Sequence, residues 1–213
     1  MERISTGQSL CQSALILGGG KGSRIGYDKK VLAIHGVSVL DDLIATLSPL
    51  FPQVLLSSNS AVDDRRMTVV PDILGEGPLA GLYAGLCACS GDYLFVCACD
   101  MPFVNVEFIR YMAALIAKDI ARAEPKDIYI YRAEPQPDLK SSGYEPFNAF
   151  YRKTLVRPAK FALENRVYKL VSFIESASLH LLGDQDIAQF GGKTLFWNIN
   201  TAEDLRRAEQ LRP

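Results

Sequence analysis

Apolar residues along the chain keep two alternating rhythms. Short runs dense in aliphatic and β-branched residues, 14–18 (ALILG), 53–58 (QVLLSS), 67–70 (MTVV) and 93–99 (YLFVCAC), read as strands buried on both faces. Between them, apolar positions recur at helical period over 38–48, 78–90 and 104–118. This alternation predicts an α/β fold: a Rossmann-like three-layer α/β/α sandwich around a mostly parallel sheet. A fifth strand is expected at 128–132 (IYIYR), followed by the aperiodic AEPQPDLKSSG of 133–143, a surface loop and candidate substrate-side lid. Then come a strand at 146–151 (PFNAFY), a helical region near 152–175, a strand at 194–199 (TLFWNI) and a last helix with Thr201 as N-cap. No internal repeat or composition shift marks a boundary, so residues 1–213 are read as one domain.

In open α/β sheets ligands bind beyond the carboxyl ends of the strands. The segments to search for chemistry are therefore 18–29, 57–60, 71–81 and 100–103.

A formal net charge of -1 argues against a broad basic face, so neither nucleic acid nor an acidic membrane is an expected partner, and an anion site must be a local concentration of donors. The first residues lack a charged-then-apolar signal pattern, and no apolar run approaches the roughly 20 residues that span a bilayer, so a cytoplasmic protein is expected. Five cysteines, an odd number, argue for a reducing compartment and against a disulfide framework. Cys87, Cys89, Cys97 and Cys99 form two C-x-C pairs, but one lies in a strand run and the other in a helical run where i and i+2 do not share a face. They are read as small buried hydrophobes, not as a metal site.

The segment LGGGKGSRIGYDKK after the first strand fits neither familiar phosphate template. A P-loop would need glycine at Leu17 and lysine at Ser23, and a dinucleotide fingerprint started from Gly18 or Gly20 would need glycine at Ser23 or Ile25. Gly18, Gly19, Gly20 and Gly22 nonetheless let backbone amides approach an anion, and Lys21, Arg24 and Lys29 bring charge to it. The competing reading is a glycine turn with solvated cations. Asp100, delivered by a buried strand and followed by Met101-Pro102, is placed to hold a hard divalent cation with phosphate oxygens completing the sphere, unless it is a helix cap. Asp72 stands at another strand end, ahead of Gly75, Gly77, Pro78 and Gly81, a backbone-rich turn able to wrap a base or ribose or merely to link strand and helix. Together these loops describe a site for a nucleoside triphosphate with Mg²⁺.

The run from Leu17 to Lys29 resembles the L-A-G-G-x-x-x-R-M-G-x-D-K signature of the molybdenum cofactor guanylyltransferases, within the nucleotidyltransferase superfamily. P-D and G-P-L-A-G at 71–81, C-D-M-P at 99–102, E-P-F-N-A-F-Y at 145–151 and N-I-N-T-A-E-D-L at 198–205 follow in the family's order. The resemblance implies transfer of GMP from GTP to the terminal phosphate of the molybdopterin cofactor, with release of pyrophosphate. It implies nucleotide contacts from Leu17, Gly18, Gly19 and Asp72, phosphate binding by Lys29 with the signature's arginine on Arg24, and GTP and Mg²⁺ binding by Asp100; the loop reading adds Gly20, Gly77 and Pro78 to the nucleotide contacts. Asn198 and Asn200 would face the pterin, giving a nucleotide half over about 13–120 and a pterin half over about 121–213. Where family members often carry an asparagine after the second strand, this chain has Ser57, with Asn59 two positions on, so the base contact falls to one or the other. Gly18 and Ile25 replace the signature's alanine and methionine. The implied partners are GTP, molybdopterin, and molybdoenzyme maturation chaperones or other cofactor-biosynthesis proteins. The rivals are a related enzyme using CTP or another NTP on molybdopterin or on a sugar or alcohol phosphate, and a non-catalytic nucleotide or cofactor carrier.

Overall fold

A computed structural model describes residues 10–18, 32–60, 62, 64–134 and 142–211. Strand β1 (Ser13–Leu17) is buried along its whole length, as its unbroken apolar run requires. A small hairpin, β2 (Ala33–Ile34) and β3 (Val37–Ser38), leads into helix α1 (Val39–Leu47), where Ser38 caps the first turn by accepting from the Asp41 N–H at 3.2 Å. Strands β4 (Gln53–Ser57) and β5 (Thr68–Val70) follow, then α2 (Pro78–Ala88), β6 (Tyr93–Ala98) and α3 (Val106–Ala121), which Asn105 caps at Phe108 N. The second half contributes β7 (Ile128–Arg132), β8 (Tyr144–Arg152), α4 (Val156–Glu164), α5 (Leu170–Ile174), β9 (Leu179–Leu182), α6 (Asp184–Ile187) and α7 (Ala202–Leu211).

The main sheet runs β5-β4-β1-β6-β8-β7-β9. Its β5, β4, β1 and β6 are mutually parallel, β8 is antiparallel to both neighbours, and β9 is parallel to β7. The chain leaves β1 toward β4 on one side and later returns to β6 on the other, so the order reverses at β1, where a doubly wound sheet opens a crevice. Side chains alternate between two apolar layers. Ala14, Ile16, Phe95 and Phe150 face α1 and α3, with Phe51 stacked on Phe95 at 5.7 Å. Leu15, Leu17, Leu94 and Tyr151 face α2, α4 and α5. Each such large side chain contributes about 1.5–3 kcal/mol by leaving water, so the strands that carry the crevice are its most firmly held parts.

Three expectations are corrected and one is met. Residues 194–199 form no strand: Gly191 (φ 108) and Gly192 (φ 60) turn the chain into a 3₁₀ helix, Gly192–Phe196. Their apolar side chains enter the core from that turn, Phe196 stacking on Tyr131 at 4.7 Å, and the sheet edge is taken instead by β9, which the apolar pattern does not announce. The helical region near 152–175 is broken into α4 and α5 by left-handed Arg166 (φ 60). Of the four paired cysteines, Cys89, Cys97 and Cys99 are buried, but Cys87 is exposed on the outer face of the last turn of α2. The expected cap at Thr201 is present, its hydroxyl accepting from Asp204 N at 3.1 Å and donating to Asp204 Oδ2 at 2.8 Å.

Candidate functional site

The crevice begins where β1 ends. Beyond Leu17 the Gly18 N–H still donates to the Ser57 carbonyl at 2.9 Å, so the chain at Gly18 stays pressed against the end of β4. A Cβ at residue 18 would stand 2.4 Å from that carbonyl oxygen, which explains why glycine follows the strand here. Gly19, Gly20, Arg24 and Lys29 lie outside the described residues.

The loops after β4 and β5 are joined by side chains. The β4–β5 register pairs Ser57 with Val70, which brings Asp72 to the Ser57 hydroxyl. Ser57 Oγ donates to Asp72 Oδ1 at 2.8 Å, and the Asp72 N–H donates to Asn59 Oδ1 at 2.9 Å. Burial pushes the Asp72 carboxyl above the ordinary carboxylate range; the Ser57 donation opposes this and the nearby Glu76 charge adds to it. Ser57, Asn59 and Asp72 thus form one constellation, and both candidates for the missing asparagine belong to it.

Helix α2 closes this wall. Gly77, its N-cap, has φ 91, offers no side-chain cap, and is followed by Pro78 in the first turn. With no acidic residue in that turn, the positive end of the helix dipole is left uncompensated by the helix itself. A Cβ at Gly81 would approach Ser57 Oγ to 2.6 Å and Leu17 Cδ2 to 2.7 Å, so the second turn of the helix rests directly on the constellation and on β1.

Asp100 stands on the other flank, buried just past β6, where Met101 N bonds back to Ala98 O at 3.1 Å and turns the chain. Its carbonyl accepts from Ile199 N at 3.0 Å. That bond places the 198–200 segment beside the strand end: half-buried Asn198 donates to Phe196 O at 3.1 Å, and the N–H of exposed Asn200 donates to Asp204 Oδ2 at 3.0 Å. The described residues contain no group of three or more His, Cys, Asp or Glu arranged for a metal ion. A single buried carboxylate still fits an ion such as Mg²⁺, which takes one or two carboxylates and completes its sphere with water and substrate phosphate.

Neither histidine adjoins the crevice. His35 (φ 50) sits in the β2–β3 turn with Nε2 at 2.9 Å from the Glu209 carbonyl, and His180 Nδ1 pairs with Asp119 Oδ2 at 2.8 Å. Asn148, a lone amide inside PFNAFY, is 1% exposed, has φ 53, and donates through Nδ2 to Leu195 O.

Gly18 at the end of β1, the joined loops after β4 and β5, the N-terminus of α2 and a buried carboxylate after β6 make up the crevice wall that a nucleotidyltransferase needs. The sequence profile of the MobA-like NTP transferase domain matches residues 14–209. The "Molybdenum cofactor guanylyltransferase" of Syntrophotalea carbinolica is 33% identical over 205 residues, 94% of this chain and 92% of that one. The "Probable molybdenum cofactor guanylyltransferase" of Peptoclostridium acidaminophilum is 32% identical over 209 residues, 96% of this chain and 91% of that one. This chain belongs to the MobA-like NTP transferase family, among the molybdenum cofactor guanylyltransferases. Its fold is shared with "Molybdopterin-guanine dinucleotide biosynthesis protein A" from Archaeoglobus fulgidus, at TM-score 0.74 and 24% identity over 94% of this chain and 98% of that one. It is also shared with 2-C-methyl-D-erythritol 4-phosphate cytidylyltransferase from Thermus thermophilus, at TM-score 0.60 and 16% identity over 94% of this chain and 98% of that one. A guanine and a cytosine enzyme on one scaffold mean that the fold does not choose the base.

Proposed function

We propose that this protein transfers GMP from GTP to the terminal phosphate of the molybdopterin cofactor, forming the guanine dinucleotide cofactor and releasing pyrophosphate. The observation that carries the reading is Asp100, buried between two walls: the Gly18, Ser57–Asn59–Asp72 and α2 wall on one side, and the 198–200 segment bonded to its own carbonyl on the other. A carboxylate between a nucleotide wall and an acceptor wall suits a reaction that joins two phosphates.

In this reading Leu17, Gly18, Gly19 and Gly20 seat the nucleotide through their backbone, and Ser57, Asn59, Asp72, Gly77 and Pro78 line the base and ribose. Arg24 and Lys29 hold the phosphates, and Asn198 and Asn200 meet the pterin. Residues 13–120 then form the GTP side and 121–213 the acceptor side. Asp100 would hold Mg²⁺, which supplies charge neutralisation of the triphosphate. An oxygen of the acceptor phosphate attacks the α-phosphorus of GTP; the new P–O bond forms as the bond to the β-phosphate bridge breaks, and pyrophosphate leaves with the electron pair. A phosphate monoester is already anionic near neutral pH, so no general base is required, in keeping with two histidines engaged elsewhere. Catalysis rests on positioning and charge stabilisation by Lys29, Arg24 and loop amides. The product passes to molybdoenzyme maturation chaperones or other cofactor-biosynthesis proteins, in the cytoplasm, where five free cysteines stay reduced.

Thermal shift with GTP, CTP, ATP and UTP in Mg²⁺, paired with pyrophosphate release on adding the molybdenum cofactor, tests the proposal. Preferential stabilisation by GTP and cofactor-dependent pyrophosphate release are expected. Preference for CTP would overturn the guanylyl assignment, and nucleotide binding without pyrophosphate release would make the protein a carrier.

A further inference from the structure

Strand β8 carries two polar side chains with no part in the reaction as drawn. Its ladder with β6 ends at the pair Val96 and Ala149, because β6 stops at Ala98 and turns through Asp100. Residues 144–146 therefore run on past the carboxyl end of β6, alongside the acceptor wall. On the other edge the β7–β8 register shifts between Tyr129 and Tyr131, and left-handed Asn148 accompanies the shift. The Asn148 Nδ2 holds the Leu195 carbonyl, but its buried Oδ1 has no hydrogen-bond partner among the described residues. An unpaired amide oxygen in that position is costly, and its retention points to a role in fixing the 192–200 segment against β8.

Three residues earlier, Glu145 lies opposite Tyr131 in the ladder, and Tyr131 stacks on Phe196. Cross-strand partners share a face, so Glu145 stands on the side of the sheet that the 192–200 segment covers. Its carboxylate is half-buried and makes no ion pair among the described residues; burial alone lifts it above the ordinary glutamate range. A carboxylate withdrawn from water and without an ion pair among the described residues is an acceptor suited to paired donors. The 2-amino-4-oxo edge of a pterin offers two adjacent, coplanar N–H groups, the geometry that a carboxylate accepts bidentately. Guanine presents the same edge. In the strand order, however, β8 is separated from β4 and β5, which bear Ser57, Asn59 and Asp72, by β1 and β6.

We propose that Glu145 reads the heterocycle of the acceptor substrate, its carboxylate taking the paired N–H donors of a pterin while Asn148 locks the 192–200 segment beside it. This rests on the pterin assignment above. The test uses the full chain and its Glu145→Gln variant, titrated with 6-hydroxymethylpterin, with 6-hydroxymethyllumazine, which carries an oxo group where the pterin has its amino group, and with GTP and Mg²⁺. The wild type should prefer the pterin to the lumazine. Glu145→Gln should lose about 10- to 100-fold in pterin affinity, and the preference with it, while GTP affinity and GTP-induced thermal stabilisation stay unchanged. Unchanged pterin affinity in the variant, absence of the preference in the wild type, or a loss that falls on GTP instead would each overturn the assignment, the last giving Glu145 to guanine. Guanine dinucleotide formation by the wild type is followed in parallel. If it fails while pterin recognition depends on Glu145, the reaction is wrong and the recognition stands.

Discussion

The Ser57 hydroxyl, at the end of β4, donates to Oδ1 of Asp72, two residues beyond β5, across 2.8 Å. With Asn59 accepting the Asp72 N–H at 2.9 Å, this holds the aspartate by both backbone and side chain. Three short side chains thus tie together the loops proposed to meet the base and ribose.

Burial, which outweighs that contact, gives Asp72 a pH signature. Its carboxyl is raised, first by burial, so its contribution to stability is present below the ordinary aspartate value of about 3.9 and is lost as pH rises through the raised value. At pH 7 the charged form therefore adds nothing to stability. Asp72→Asn, whose amide oxygen still accepts from Ser57, should leave urea-unfolding stability of the free protein at pH 7 undiminished and weaken GTP by about 10-fold or more. A clear loss of stability at pH 7 would contradict the burial account.

Gly18 and Gly77 predict two different kinds of damage. At Gly18 an added methyl meets the Ser57 carbonyl at 2.4 Å, and since that atom is backbone of a central strand, Gly18→Ala should cost about 1–3 kcal/mol in urea unfolding. At Gly77 nothing stands within 4 Å of an added Cβ, but φ is +91, so Gly77→Ala should cost about 1–2 kcal/mol from conformation alone. Neither is repaired by another side chain: enlarging the space around residue 18 is not possible without moving β4, and the extended positive-φ backbone of Gly77 (φ 91, ψ -176) is essentially a glycine conformation, so Gly77→Asn should lose about as much as Gly77→Ala.

Asp100 predicts a loss of rate without a loss of fold. Its carbonyl, not its side chain, makes the bond to Ile199, so Asp100→Asn should keep the 198–200 segment in place. Removing the charge proposed to hold Mg²⁺ should lower turnover by about 10²–10³. Pyrophosphate release measured across a Mg²⁺ titration decides it: a variant retaining most of its Mg²⁺-dependent rate would remove Asp100 from the metal role.

The strands that frame the crevice were legible because burial on both faces leaves continuous apolar runs, and Gly18, Asp72 and Asp100 were legible because such runs end on them. The bond between Ser57 and Asp72 was not, since it depends on which residue of β5 lies opposite Ser57, a register that neither segment encodes alone. TLFWNI imitates a strand because the same aromatic and aliphatic residues can fill a core from a 3₁₀ turn; only the two positive-φ glycines before it and the occupancy of the edge by β9 decide the matter. β9 carries no clear apolar signal because His180 interrupts a four-residue strand whose burial is incomplete. Asn148 was invisible as a wall residue because its role follows from a left-handed backbone and a distant carbonyl.

His180 matters to stability for the reason it does not matter to the crevice. Asp119 on α3 accepts from the Tyr129 hydroxyl at 3.0 Å and pairs with His180 Nδ1 at 2.8 Å, while the His180 and Tyr129 rings stack at 4.9 Å. Burial pushes the Asp119 carboxyl up, but the hydrogen bonds from His180 and Tyr129 outweigh it and hold the group below the ordinary aspartate value. A depressed carboxylate stabilises the fold above about pH 3.9 and ceases to do so as pH falls through the lowered value. Asp119→Asn should therefore destabilise the protein near neutrality by about 1–3 kcal/mol and flatten the acid limb of its stability curve below about pH 4, while Tyr129→Phe costs about 1 kcal/mol and keeps more of the acid limb. Urea unfolding from pH 7 down to 3 reads both effects. An Asp119→Asn protein with the full acid sensitivity of the wild type would show that other carboxylates govern acid unfolding, and that this cluster binds β9 and α3 to the sheet by packing alone.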